Sequence, residues 1–404
     1  MPTAASPLSV ERFVMPGPLA GLKVIEIAGL GPTPSCGMLL GDMGADVIRV
    51  DRVAKADLGI EIPARFNLRD RNKRSVAIDL KQPDGVEALL KLIKHADILI
   101  EGFRPGVAER LGFGPQACFQ QRPSLVYGRA TGWGQDGPLA QCAGHDINYV
   151  ALTGALDMIG PRDSDPVVPL NLLGDYAGGA AYLAFGLMCA VFEARQSGKG
   201  QVVDGAIVDG VTGLLTMFHT MRQSGELVPE RGANLLDGGA PFYTTYPAKD
   251  GKHVAVGALE SRFYAALVER MGLDAAALPD RNDRSNWPAL RALFASIFAQ
   301  RSRDAWAAHF ADCPDACFSP VLSLAEANSH PHNQARGMLA AFDGLDHPLP
   351  APRLSRTPGA ITGPPPQPGA QTRAILSEWG FEPATIEDGI RQGVFLDATH
   401  SRPA

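Results

Sequence analysis

The sequence predicts an α/β fold, with a large Rossmann-like domain built on a mostly parallel sheet and a smaller α+β domain after it. Three observations predict it: short apolar runs without polar alternation, helical patterns between consecutive runs, and a change of texture after Val208. Strands covered by helices on both faces are apolar throughout, and strand–helix alternation marks a parallel sheet.

Residues 23–28, Lys-Val-Ile-Glu-Ile-Ala, form the first strand. A Gly/Pro loop and a helical pattern through Met38, Leu39, Leu40 and Met43 follow, and residues 46–51 supply the second strand. Strands at 75–80, 97–100 and 124–127, with a helix over 83–95, continue the alternation. The apolar stretch 176–192 reads as a buried helix, too short for a bilayer span. Beyond it come a helix to about 223, a Gly-rich segment at 232–239, strands at 242–246 and 253–259, and helices at 262–271, 287–298 and 303–310. Pro-rich sequence over 348–368 then leads to a helical tail. The expected divisions are a first part of the large domain at 1–205, a linker at 206–237, the small domain at 238–333, and a return segment at 334–404.

Length and composition bound the function. The chain has 404 residues, enough for two cores, and its 45% hydrophobic and 20% charged content is that of a folded soluble protein. A net charge of −6 disfavours a binder of nucleic-acid phosphates. Six cysteines lack zinc-site spacing, and no export or peroxisomal signal is visible, so reduced thiols and a cytoplasmic location are expected, with no metal.

Several segments are candidates for chemistry, each with a plainer competitor. Gly29-Leu-Gly31-Pro-Thr-Pro-Ser-Cys-Gly37 sits where a dinucleotide fingerprint would, but lacks its third glycine spacing, so a nicotinamide cofactor is not expected. Arg49, Arg52, Arg69, Arg71, Lys73 and Arg74 crowd the region around the second strand's end, with Arg104 and Arg110 after the fourth. Converging guanidinium groups suit the diphosphate and ribose phosphate of CoA, and a solvated basic surface is an equal alternative. His145 follows a glycine at a helix start, and Asp175 precedes the long apolar helix. Read alone, the first is a structural histidine and the second a cap. Glu260 ends a strand and by periodicity is simply exposed. His330 and His332 lack a third ligand, and Ser35, Ser164 and Ser319 lack the strand–helix elbow of a nucleophilic serine.

Taken together, the motifs carry more. Gly17-Pro-Leu-Ala-Gly-Leu-Lys-Val-Ile-Glu, Gly44-Ala-Asp-Val-Ile-Arg-Val-Asp-Arg52, Lys73-Arg-Ser, Phe103-Arg-Pro-Gly-Val107 and Thr131-Gly-Trp-Gly-Gln135 occur in order. They are followed by Ala143-Gly-His-Asp-Ile-Asn-Tyr149, Asn171-Leu-Leu-Gly-Asp175, Ser197-Gly-Lys-Gly-Gln-Val-Val-Asp204, Asn234-Leu-Leu-Asp-Gly-Gly-Ala-Pro-Phe-Tyr243 and Val256-Gly-Ala-Leu-Glu260. From residue 18 to about 357 the chain resembles the α-methylacyl-CoA racemases of the class III CoA-transferase superfamily.

That resemblance implies a class III CoA-transferase fold, an interlocked homodimer, and a large domain to which both chain ends contribute. It implies interconversion of (2R)- and (2S)-2-methylacyl-CoA thioesters in fatty-acid metabolism, without a cofactor, CoA being part of the substrate. His145 and Asp175 match the catalytic pair, with Glu260 and Asn171 supporting. Arg52, Ala77, Leu80 and Arg104 match the CoA-binding positions; Arg110, Gly144, Asp146 and Tyr149 are expected beside substrate. Gly174 stands at a position that varies in the family. The implied chemistry is proton removal by His145 or Asp175, return by the other, and an enolate whose oxygen meets backbone amides that include Asp175's. His145 favours this over CoA transfer between carboxylates, in which Asp175 would be the nucleophile, and over a silent CoA-binding scaffold.

Overall fold

The computed structural model describes residues 17–54, 59 and 61–398. The N-terminal extension to Met15 and the Ser401-Arg-Pro-Ala end, on which the targeting expectations rest, lie outside the described residues.

Six parallel strands form the main sheet: β1 (Lys23–Ile27), β2 (Asp46–Asp51), β3 (Lys73–Ile78), β4 (Ile98–Glu101), β5 (Val126–Thr131) and β6 (Val202–Ala206). They run in the order β3-β2-β1-β4-β5-β6, and Phe395–Leu396 adds a short antiparallel strand outside β3. Alternate residues of one strand enter two different cores. Ile25, Ile48, Val50, Val76 and Leu99 pack with Leu89 and Leu92 of the Pro83–Ile93 helix and with Ile375 and Trp379. Val24, Val47, Ile98 and Val126 pack with Leu40, Leu183 and Leu187 on the other face. Both faces are covered, which is why these strands read as unbroken apolar runs.

Two strands of this sheet escape the sequence reading. β6 is an edge strand of Val-Val-Asp-Gly-Ala with an exposed Val202, and its Asp and Gly mask its strand character. Phe395–Leu396 is too short to show a period.

The apolar helix is longer than its sequence suggested. It spans the 26 residues Leu172–Ser197, enough in length and apolarity to cross a bilayer, and it opens as a π-helix over Leu172–Ala181. Nor is it buried all round. Leu183, Leu187, Ala190 and Val191 pack beneath the sheet, while Phe185 and Phe192 are 71% and 70% exposed.

The chain divides into two compact units. The first comprises residues 1–142, 179–206 and 339–404; the second comprises 143–178 and 207–338. In the second, β7 (Tyr243–Pro247), β8 (His253–Gly257) and β9 (Phe318–Pro320) make an antiparallel sheet. It is backed by the helices Ser261–Arg270, Trp287–Phe298 and Arg303–Phe310. Their core is aromatic: Phe310 stacks on Phe318 with ring centroids 4.3 Å apart, and Tyr246 on Phe298 at 5.2 Å. A separate small core in the same unit joins Val150 and Ala155 to Ile207 and Val211.

Candidate active site

The basic cluster around β2 and β3 resolves into two kinds of residue. Arg49 is paired with Asp51 at 2.8 Å and with Asp70, Arg71 with Asp42 at 2.6 Å, and Lys73 with Glu26 at 2.8 Å and Asp70 at 3.2 Å. All three cations are buried. Arg74 is shared between Asp46 and Glu378, and Arg69 donates to Asn67. The buried cations are paired because a charge taken out of water must bring its counter-charge with it. As phosphate ligands Arg49, Arg71 and Lys73 are therefore spent, and the expectation for them is corrected.

Arg52, Arg104 and Arg110 differ, being exposed. Arg52 directly follows β2, and Arg104 lies three residues beyond the end of β4, so both stand at carboxyl ends of parallel strands, where open α/β sheets collect ligands. Ala77 is fully buried: its amide donates to Thr372 Oγ1 at 3.1 Å and its neighbour across the sheet is Leu396. Leu80 is partly buried against the core of the same unit.

The loop carrying Arg104 is clamped at both ends. Glu101, 2% exposed, accepts the Phe103 amide at 2.6 Å, and Arg129 of β5 reaches both Glu101, at 3.7 Å, and Glu109 in the short helix Val107–Leu111. Burial pushes the Glu101 carboxyl up to about 7, against the pull of the Phe103 amide and Arg129. Neither Glu101 nor Arg129 stood out in the sequence, since a strand-end glutamate has no local signature.

In the second unit, His145 caps the helix Asp146–Leu152 in an extended conformation and is exposed. Its own amide donates to Asn148 Oδ1 at 3.0 Å. The Tyr149 hydroxyl donates to the Gly144 carbonyl, closing the turn that presents the imidazole.

Asp175 lies in the π-helical turn and is half-buried. Asn171, one turn earlier, donates from Nδ2 to Asp175 Oδ2 at 3.1 Å. The Asp175 amide donates to Asp146 Oδ1 at 2.6 Å. Asp146 is 7% exposed, and burial raises its carboxyl above the ordinary value, with the Asp175 amide lowering it and the Asp175 charge raising it again. The structure thus brings Asn171, Asp146 and Asp175 together, with His145 tied in through the peptide bond to Asp146. It also corrects one expectation: the Asp175 amide is occupied by Asp146 and does not await a substrate oxygen.

Gly174 proves constrained. A β-carbon there would lie 2.2 Å from Asp146 Oδ1 and 2.6 Å from its Cγ, closer than real contacts allow.

Glu260 caps the Ser261–Arg270 helix, is exposed, and makes no hydrogen bond to His145 among the described residues; its charge is felt by Cys317. The Gly-rich segment of the same unit is organised by Asn234, 3% exposed, which donates to the Val228 carbonyl at 3.1 Å and to Asp237 at 3.0 Å. A cleft of about 1250 Å³ opens beside it, walled by Tyr243, Val256, Trp287 and Arg291 among others. Neither His145 nor Asp175 is among its lining residues. Among the described residues no three His, Cys, Asp or Glu side chains are grouped as a metal would need.

Comparison with known proteins bears on the whole arrangement. The family model described as CoA-transferase family III matches residues 19–372. The chain is 43% identical over 370 residues to the α-methylacyl-CoA racemase of Mus musculus, covering 91% of this chain and 95% of that one. To the α-methylacyl-CoA racemase of Homo sapiens it is 42% identical, covering 90% and 94%. Among solved structures, a CAIB/BAIF family protein from Brucella suis superposes with a TM-score of 0.77 at 26% identity, covering 90% of this chain and all of that one.

Proposed function

This chain belongs to CoA-transferase family III, and from that premise we propose that it is an α-methylacyl-CoA racemase, interconverting (2R)- and (2S)-2-methylacyl-CoA thioesters. The observation that carries the site assignment is that Asp146 is bound to both members of the pair, by a peptide bond to His145 and by a 2.6 Å hydrogen bond to the Asp175 amide.

In one direction neutral His145 removes the α-proton. The C–H electron pair moves into the thioester carbonyl to give an enolate, and protonated Asp175 delivers its proton to the opposite face as the enolate collapses. In the other direction Asp175 is the base and the imidazolium the acid. The enzyme then carries one proton on the pair before and after each turnover, shifted from one member to the other, and no cofactor enters the balance. General acid and base action of this kind contributes roughly 10²- to 10⁴-fold. The remainder falls on stabilising the enolate oxygen. With the Asp175 amide taken and the Asn148 amide donating to the His145 carbonyl at 2.8 Å, the Asp146 and Ile147 amides are the donors left in this segment.

CoA is assigned to the first unit, its phosphates to Arg52, Arg104 and Arg110. These arginines are exposed where their neighbours Arg49, Arg71 and Lys73 are buried in ion pairs. The active form is taken to be a homodimer, supported by the exposed aromatic stripe of the long helix.

The test is solvent deuterium incorporation at C2 of (2R)-2-methylacyl-CoA, with chiral analysis and no carboxylate acceptor. Exchange with loss of stereochemical purity is the expected result. Absence of exchange, with CoA transfer once a carboxylate is added, would make the protein a transferase working through Asp175. Tight CoA binding with neither reaction would make it a scaffold.

A further inference from the structure

Asp146 touches the catalytic machinery at Asp175's backbone, not at its carboxyl. Its Oδ1 takes the Asp175 amide at 2.6 Å, and the chain passes so close at Gly174 that a β-carbon would fall 2.2 Å from the same oxygen. A side chain at 174 would push this carboxylate aside, and with glycine there the approach places a buried carboxylate against the start of the π-helical turn.

That placement answers an electrostatic difficulty. A helix start favours a negative charge, so Asp175, three residues into its helix, would be held ionised and unable to act as an acid. A second carboxylate already occupying the amides takes up that field, and its charge opposes ionisation of the first. The titratable groups on the elements around Asp146 are His145 and Tyr149 of its own segment, Asp175 and Tyr176 of the π-helical turn, and Asp209 on the packed helix Ile207–Leu214, which is exposed.

We propose that Asp146 is a positioning residue for the acid–base pair: it fixes Asp175 through the backbone amide and supplies the negative charge beside which the pair retains the proton it must deliver. This rests on the racemase reading above.

Asp146→Asn separates the two roles, since an amide oxygen still accepts the Asp175 N–H while the charge is gone. Asp146→Ala removes both, and Gly174→Ala drives the carboxylate away with Asp146 intact. The measurement is the pH profile of racemisation, with KM and CoA affinity followed alongside. For Asp146→Asn the bell-shaped kcat/KM profile should move to lower pH by about one unit, CoA affinity staying within about twofold. Gly174→Ala should show the same displacement, and Asp146→Ala should add a fall in kcat of about 10- to 100-fold. A folded Asp146→Asn or Gly174→Ala enzyme whose profile keeps its position on the pH axis would overturn the proposal, because a purely structural role lowers the rate at every pH alike. Wild-type protein that shows no solvent exchange would instead remove the racemase reading, so the two failures are distinguishable.

Discussion

Gly178 and Gly210 meet backbone to backbone. A β-carbon on Gly210 would lie 1.9 Å from the Gly178 carbonyl oxygen, and one on Gly178 would lie 2.8 Å from the Val211 amide. This contact seats the π-helical turn that carries Asp175 on the helix Ile207–Leu214, within the second unit.

Gly210→Ala should therefore destabilise the protein by about 1–3 kcal/mol, the usual cost of overpacking where backbone cannot yield. Because the strain bears on the turn, kcat should fall more than CoA affinity does. Urea unfolding and steady-state racemisation measure the two effects; unchanged values in both would mean that the helices part without cost.

His145→Ala tests the division of labour between the two faces of the α-carbon. Racemisation should be lost, because no group remains to serve the imidazole's side. Asp175, still held by Asn171 and Asp146, should go on exchanging the proton on its own side. Deuterium should then enter one enantiomer of substrate without inversion, while the other stays unlabelled. Labelling of both enantiomers in the variant would show that another group takes the histidine's place.

The first five strands of the main sheet were legible because burial on two faces makes them short apolar runs, as with Ile25 and Val24 entering opposite cores. Register, and the pairing of charges across strands, left no local trace. Arg49 and Arg52 look alike in sequence, yet one is buried between Asp51 and Asp70 and the other is exposed, because Arg49 lies within β2, whose residues are covered, and Arg52 follows the strand's end. At the site, His145, Asn171 and Asp175 came from motif resemblance, whereas the constraint at Gly174 arises from a contact 28 residues away in sequence and could be seen only in three dimensions.

Glu101 makes stability depend on pH. Its carboxyl titrates at about 7 in the fold, chiefly through burial, against 4.5 ordinarily. Between those values the unfolded chain releases its proton while the folded one keeps it, so the stabilising contribution is full below pH 4.5 and is lost as pH rises to about 7. Glu101→Gln removes the titration. The stability of the wild type relative to the variant should accordingly fall by about 2–3 kcal/mol between pH 5 and 8. Urea unfolding of both proteins at the two pH values measures it; a difference that stays constant would mean that Glu101 is ionised throughout.

The last prediction concerns the outer face of the Leu172–Ser197 helix. Tyr182, Phe185 and Phe192 are 42%, 71% and 70% exposed, and with the exposed Cys189 they recur at helical spacing opposite the buried Leu183, Leu187 and Ala190. A single chain would leave this stripe in water, although burying one such ring is worth about 1.5–3 kcal/mol. A second copy covering it would account for apolar residues at positions the sheet does not need. In sedimentation velocity the wild type should run as a dimer, and Phe185→Glu should dissociate it, because a symmetric contact would bring the new carboxylate into the interface twice. Circular dichroism should stay unchanged, since Phe185 contributes little to the core of its own subunit. A monomeric wild type that remains in solution with vesicles present would remove the dimer, and one that floats with them would assign the stripe to a membrane surface.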